Sequence, residues 1–157
     1  MRVHIATDHA GLELSHHLIE HLGAKGYEMV DHGPQQYDPE DDYPAFCINA
    51  ALAVLADQAA GVDALGIVLG GSGNGEQIAA NKVKGIRAAL AWNLDTAKLA
   101  REHNDANVVA VGGRQHSVEE ATAIIEAFLA EPFSNAERHV RRIGKIAAYE
   151  ASGEVVA

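Results

Sequence analysis

Short apolar segments alternate with helical apolar patterns along this chain, and few folds accommodate that rhythm. Val3 to Thr7 is apolar and ends in Asp8-His9-Ala10-Gly11, after which Leu14, Leu18, Ile19 and Leu22 recur at helical spacing up to Gly23. A second segment, Tyr27 to Val30, leads through an acidic loop to Asp41-Asp42-Tyr43-Pro44, where a helix opens and runs to about Gln58. Leu65 to Leu69 is uninterrupted and apolar, as a strand buried on both faces must be, and it ends in Gly70-Gly71-Ser72-Gly73-Asn74-Gly75. A short helix opens beside Glu76, with Asn74 and Gln77 spaced as a capping pair, and gives way to a fourth strand from Ile86 to Trp92. The pattern then repeats. A helix from Leu94 to His103 precedes a strand from Asn107 to Val111 and the turn Gly112-Gly113-Arg114. Ala121, Ile124, Ile125, Phe128 and Leu129 share one helix face, and Val140, Ile143 and Ala147 mark a last helix.

Five strands alternating with helices predict an α/β fold. Parallel neighbours need crossovers, and right-handed crossovers cover both faces of the sheet. The expectation is a Rossmann-like doubly wound five-stranded parallel sheet, strand order 2-1-3-4-5, with a C-terminal helix. Residues 1–157 would form one domain, since no linker, repeat or low-complexity run divides them. In that order ligands bind between the first and third strands, outside their carboxyl ends. Asp8-His9 and Gly70 to Glu76 therefore face one another.

Composition narrows the ligand. With 12 Lys and Arg against 22 Asp and Glu, the formal charge of -10 disfavours nucleic acid and anionic membrane, so an anionic ligand needs a local basic pocket. The single cysteine, Cys47, has no internal disulfide partner, and no apolar run approaches membrane-spanning length. A soluble, cytoplasmic protein is expected.

The loop after the third strand carries four glycines in six residues, so its backbone N–H groups can surround an anion at a helix start. It lacks the Gly-Lys-Ser/Thr ending of a Walker loop, and the first loop lacks a dinucleotide fingerprint. Glu76, beside this loop, is a candidate base. Taken alone it reads better as a first-turn glutamate complementing the helix dipole. Asp8 and His9 can grip hydroxyls or move protons, and His103 ends a helix where the dipole favours its protonated form. Arg114 follows the fifth strand, while Arg138 and Arg142 share a face of the last helix with the geometry to clamp phosphate. No histidine pair stands beside a carboxylate in a strong ligand arrangement, so neither a metal nor any other cofactor is expected.

Taken together, Asp8-His9-Ala10-Gly11, Asp42-Tyr43-Pro44, Gly70 to Glu76 followed by Ile78-Ala79-Ala80-Asn81-Lys82, His103-Asn104, Gly112-Gly113-Arg114 and Arg138 resemble the ribose-5-phosphate isomerase B family and its galactose-6-phosphate isomerase relatives. The resemblance runs from the first strand to the last helix. It implies a homodimer with active sites completed across the subunit interface, acting on ribose 5-phosphate and ribulose 5-phosphate through a cis-enediolate. Much of that family carries a base cysteine in a Cys-Gly-Thr-Gly loop. Here Gly71 or its neighbour and Ser72 stand at those positions, and Cys47 lies elsewhere. Gly-Gly-Ser-Gly-Asn-Gly-Glu looks like the actinobacterial branch, in which the glutamate at the position of Glu76 is the base.

The resemblance implies further roles. Asp8 and His103 would assist ring opening, Glu76 would remove the proton, and Ser72 would help protons pass between oxygens. Backbone amides from Gly71 through Gly73 and Asn74 to Gly75 would stabilise the enediolate. His9, Arg114, Arg138 and Arg142 would hold the phosphate, with Tyr43 and Asn104 contacting hydroxyls. Alternative readings are an isomerase of a four- or six-carbon aldose phosphate, a non-catalytic flavodoxin-like domain binding phosphate or nucleotide, and a family member that has lost activity.

Overall fold

A computed structural model describes residues 1–157. Its sheet has five parallel strands: β1 (Arg2–Thr7), β2 (Glu28–Asp31), β3 (Ala64–Gly70), β4 (Ala88–Leu90) and β5 (Val108–Gly112). The helices are α1 (Leu12–Ala24), α2 (Tyr43–Ala59), α3 (Asn74–Ala80), α4 (Leu94–Asn104), α5 (Val118–Ala130) and α6 (Glu137–Ser152), with a 3-10 turn at His9–Gly11. Side chains that alternate along each strand feed two cores. On one face, Val3, Ile5, Leu65, Ile67, Leu69, Val109 and Val111 pack under α1, α4 and α5. On the other, Ala6, Val68, Val108 and Ala110 meet small residues of α2 and α3, among them Cys47, Ala50, Ala51 and Ala80.

The strand order is 2-1-3-5-4, not 2-1-3-4-5. The physical reason lies in the two strands that exchange places. Val108 to Gly112 is buried throughout and pairs on both sides, whereas the fourth strand shrinks to Ala88–Leu90 and is only partly buried. A strand buried on both faces takes the interior position, and the short one takes the edge. The switch between β1 and β3 survives this correction, so their carboxyl ends still face one crevice.

One local expectation also changes, and the last helix has an exposed apolar face. α3 is capped by the backbone of Gly73 at φ +81°, and no Asn74–Gln77 capping pair forms. Gln77 instead donates to the carbonyl of Ala88 at 3.1 Å. α6 does not bury its apolar residues: Val140, Ile146 and Tyr149 are 50%, 55% and 55% exposed, and His139 is its one buried side chain.

Candidate active site

The carboxyl edge of β1, β3 and β5 gathers residues from four loops. Asp8 leaves β1 and caps the 3-10 turn, its Oδ1 accepting from the amides of Ala10 and Gly11 at 2.8 and 3.1 Å. Those two bonds fix the carboxylate at the floor of the crevice. His9, the next residue, donates from Nδ1 to Asp41 Oδ1 at 2.7 Å. Polar atoms of Asp8, His9 and Asp41 lie within 4.8 Å of one another.

Across the crevice, Glu76 is 4% exposed, and its carboxyl group lies over the backbone of Gly70. A Cβ on Gly70 would come within 2.2 Å of that carboxylate, so only glycine leaves the space the acid occupies. Burial is the largest cause of a pKa raised above the ordinary glutamate value. The nearby charges of Asp8 and Asp41 add to it, and a backbone N–H donated to the carboxylate opposes it. A surface glutamate complementing a helix dipole would have neither the burial nor these neighbours.

The amides of Gly71, Ser72 and Gly73 donate to nothing within the chain. Unpaired N–H groups in a turn beside a buried acid form a ready receptor for negative charge. The third-strand loop is tied from below, since Gly113 N donates to Gly70 O at 2.7 Å and Arg114 N to Gly71 O at 3.1 Å. This pairing brings the Arg114 side chain beside Gly71. Tyr43 opens α2 with its ring against Gly75, where a Cβ would stand 2.5 Å from the phenol oxygen. Ser72 and Asn74 are exposed and also border a cavity of about 540 Å³ with Trp92, Gln115 and His116.

Cys47 lies on α2 beneath this edge, fully buried. Burial first, then the charges of Glu76 and Asp8, push its thiol up to about 12, so it stays protonated and unreactive.

The remaining sequence candidates are elsewhere. α4 runs back across the sheet and ends at His103-Asn104, just before the amino end of β5. The carbonyl of Asn104 accepts from Arg87, which precedes β4. His103 packs against His139, with ring centroids 4.3 Å apart and the rings tilted by 35°. His139 is bonded through Nδ1 to Ser134 Oγ at 2.7 Å, while Ser134 N donates to the carbonyl of Glu102. These bonds join the end of α4 to the start of α6, which carries the exposed Arg138 and Arg142. Burial, then His103, Arg138 and Arg142, lower the pKa of His139, so it remains neutral beside its basic neighbours. One chain thus brings Asp8, His9, Tyr43, Glu76 and Arg114 together at one edge. It leaves His103, Asn104, Arg138 and Arg142 at the other, roughly a strand length or ~15 Å away.

Two residues escaped the sequence reading. Asp41 lay in an acidic loop with nothing to mark it as the acid that would meet His9. His139 stands in sequence among the basic residues Arg138, Arg141 and Arg142, yet it is buried and sits behind His103.

A buried acid above unpaired loop amides, at the switch point of a doubly wound sheet, defines a class: α/β enzymes that move a proton next to a developing oxyanion. The chain belongs to the ribose/galactose isomerase family, whose model matches residues 3–146. It is 57% identical to ribose-5-phosphate isomerase B of Mycobacterium tuberculosis, covering 98% of this chain and 93% of that one. It is 37% identical to the Escherichia coli enzyme of the same name, covering 95% and 96%. Among solved structures, ribose-5-phosphate isomerase B from Mycoplasma genitalium with bound ribulose-5-phosphate superposes with a TM-score of 0.90 at 42% identity, covering 96% of this chain and 97% of that one. No helix here is long and apolar enough to cross a membrane.

Proposed function

We propose that this chain interconverts D-ribose 5-phosphate and D-ribulose 5-phosphate through a cis-enediolate, with Glu76 as base. The observation that carries this reading is the buried Glu76 carboxyl beside the unpartnered amides of Gly71 to Gly73. The base takes the proton from C2 of the open-chain aldose, and the electron pair flows to the carbonyl oxygen. Loop amides receive the resulting charge. The same carboxyl group then returns the proton to C1, while the Ser72 hydroxyl helps a proton pass between the two oxygens. A raised pKa suits both halves of that exchange, since the acid form must give back what the base form took.

Asp8 and His103 assist opening of the furanose ring. His9, Arg114, Arg138 and Arg142 hold the phosphate, and Tyr43 and Asn104 contact sugar hydroxyls. Because His103 and the two α6 arginines stand a strand length from Glu76 in one chain, a second copy supplies them. Each site of a two-fold homodimer takes Glu76 from one protomer and His103 from its partner. The exposed Val140, Ile146 and Tyr149 of α6 offer apolar surface for that association. Residues 1–157 act as one isomerase domain, in the cytoplasm.

The test is conversion of ribose 5-phosphate to ribulose 5-phosphate in the presence of EDTA, beside four- and six-carbon aldose phosphates. The expected result is fastest turnover of the pentose and no loss with chelator. Faster turnover of another chain length would overturn the substrate, and abolition by EDTA would overturn the metal-free mechanism.

A further inference from the structure

Asp41 is a buried charge to which the chemistry above assigns no task. It closes the acidic loop before α2, and its side chain is only 6% exposed. A carboxylate withdrawn this far from water is costly unless a cation or strong donors meet it. Within the chain its side chain meets one donor, His9 Nδ1 at 2.7 Å through Oδ1, while Oδ2 has no partner. Asp8 makes no hydrogen bond to the ring, and its Oδ1 accepts from the Ala10 and Gly11 amides instead. The ring of Tyr37 packs against the same imidazole in a T-shaped arrangement, with centroids 5.8 Å apart.

This arrangement constrains the ring. A carboxylate only accepts, so the proton of the His9–Asp41 bond sits on Nδ1, and Nε2, which has no partner in the chain, is left for a ligand. A neutral ring held this way would turn a lone pair toward a phosphate oxygen. A doubly protonated ring donates on both sides, giving a carboxylate–imidazolium–phosphate line in which the charges alternate. We infer that Asp41 is a positioning residue, which holds His9 by Nδ1 so that Nε2 can clamp the substrate phosphate. The inference rests on the phosphate role proposed for His9.

The measurements are KM and kcat for ribose 5-phosphate, and the Ki of inorganic phosphate as a competitive inhibitor, for wild type, Asp41→Asn, His9→Ala and the double variant. Asn keeps an oxygen to accept from Nδ1 but removes the charge. Asp41→Asn is expected to raise KM and phosphate Ki together by about tenfold, with kcat within about twofold of wild type. In the His9→Ala background the same change should add less than about twofold, because the partner it acts through is gone. If His9→Ala weakens both constants and Asp41→Asn changes neither, the role of His9 stands and the inference is overturned. An Asp41→Asn variant that loses kcat at constant KM also overturns it. If His9→Ala changes neither constant, the phosphate role of His9 fails and takes the inference with it.

Discussion

At the carboxyl edge of the sheet, four loops converge on the buried acids Asp8, Asp41 and Glu76, whereas at the amino edge the joined ends of α4 and α6 present His103, Arg138 and Arg142 outward. The first set is fixed by backbone bonds and close packing: Asp8 by two amides, Glu76 over Gly70, and the loop by Gly113 and Arg114. The second is basic and solvent-facing, and is held mainly through His139 and Ser134. The carboxyl edge has the buried acid Glu76 and the unpartnered loop amides, with Asp8 and Asp41 adding negative charge beside His9 and Arg114, and the amino edge has the exposed cations Arg138 and Arg142. This division is what the two-copy site proposed above would bridge.

The comparison is tested most severely at Glu76. Glu76→Gln keeps the shape and removes the charge, and if Glu76 is the base proposed above kcat should fall by about 10³-fold or more with little change in KM. The same variant should be more stable at neutral pH. Because the folded pKa of Glu76 lies above its unfolded value, the stabilisation from its protonated form is present at low pH and is lost as pH rises through the folded pKa. At pH 7 the fold therefore carries a buried carboxylate at a cost, which the amide removes. Thermal melting should show Glu76→Gln a few degrees above wild type at pH 7, and the gap should close near pH 4.

Gly70→Ala probes the packing at that edge without touching charge. Its Cβ would stand where the Glu76 carboxyl group lies, so the acid must move, and a displacement near 1 Å should cost kcat about 10–100-fold. A smaller effect appears in the pH profile: the acidic limb of kcat should fall at a pH above the ordinary glutamate value, and Gly70→Ala should shift it if the acid becomes more exposed. The smallest effect is expected at Cys47. Cys47→Ala should keep kcat within about twofold and lose about 1 kcal/mol of stability to a small cavity, because the thiol sits beneath the site and stays protonated.

Much of the carboxyl edge is legible in the sequence, because its key loop is contiguous and its glycines answer a local need. Gly70 to Glu76 announces itself by residue type and by the apolar strand before it. Strand order was harder to read, since β4 and β5 differ in burial more than in local propensity. Only the uninterrupted Val108 to Val111, set against Arg87 and Trp92 flanking β4, hinted that β5 belongs inside. Asp41 and His139 were illegible for another reason. Their partners His9 and His103 lie 32 and 36 positions away, and spacing carries no information about contacts made through the folded chain. The division of His103 and Arg138 from Glu76 follows from the direction in which α4 crosses the sheet, and becomes visible only once the strands are ordered.

Subunit complementation tests the division between the two edges most directly. Glu76→Gln and His103→Ala chains, each defective alone, would be mixed, dissociated, reassociated and assayed on ribose 5-phosphate. If each site joins one edge from either subunit, random pairing gives mixed dimers with one intact site, and activity should return to about a quarter of wild type. Activity that stays at the level of the separate variants, with mixed dimers demonstrably formed, would contradict a site shared between subunits.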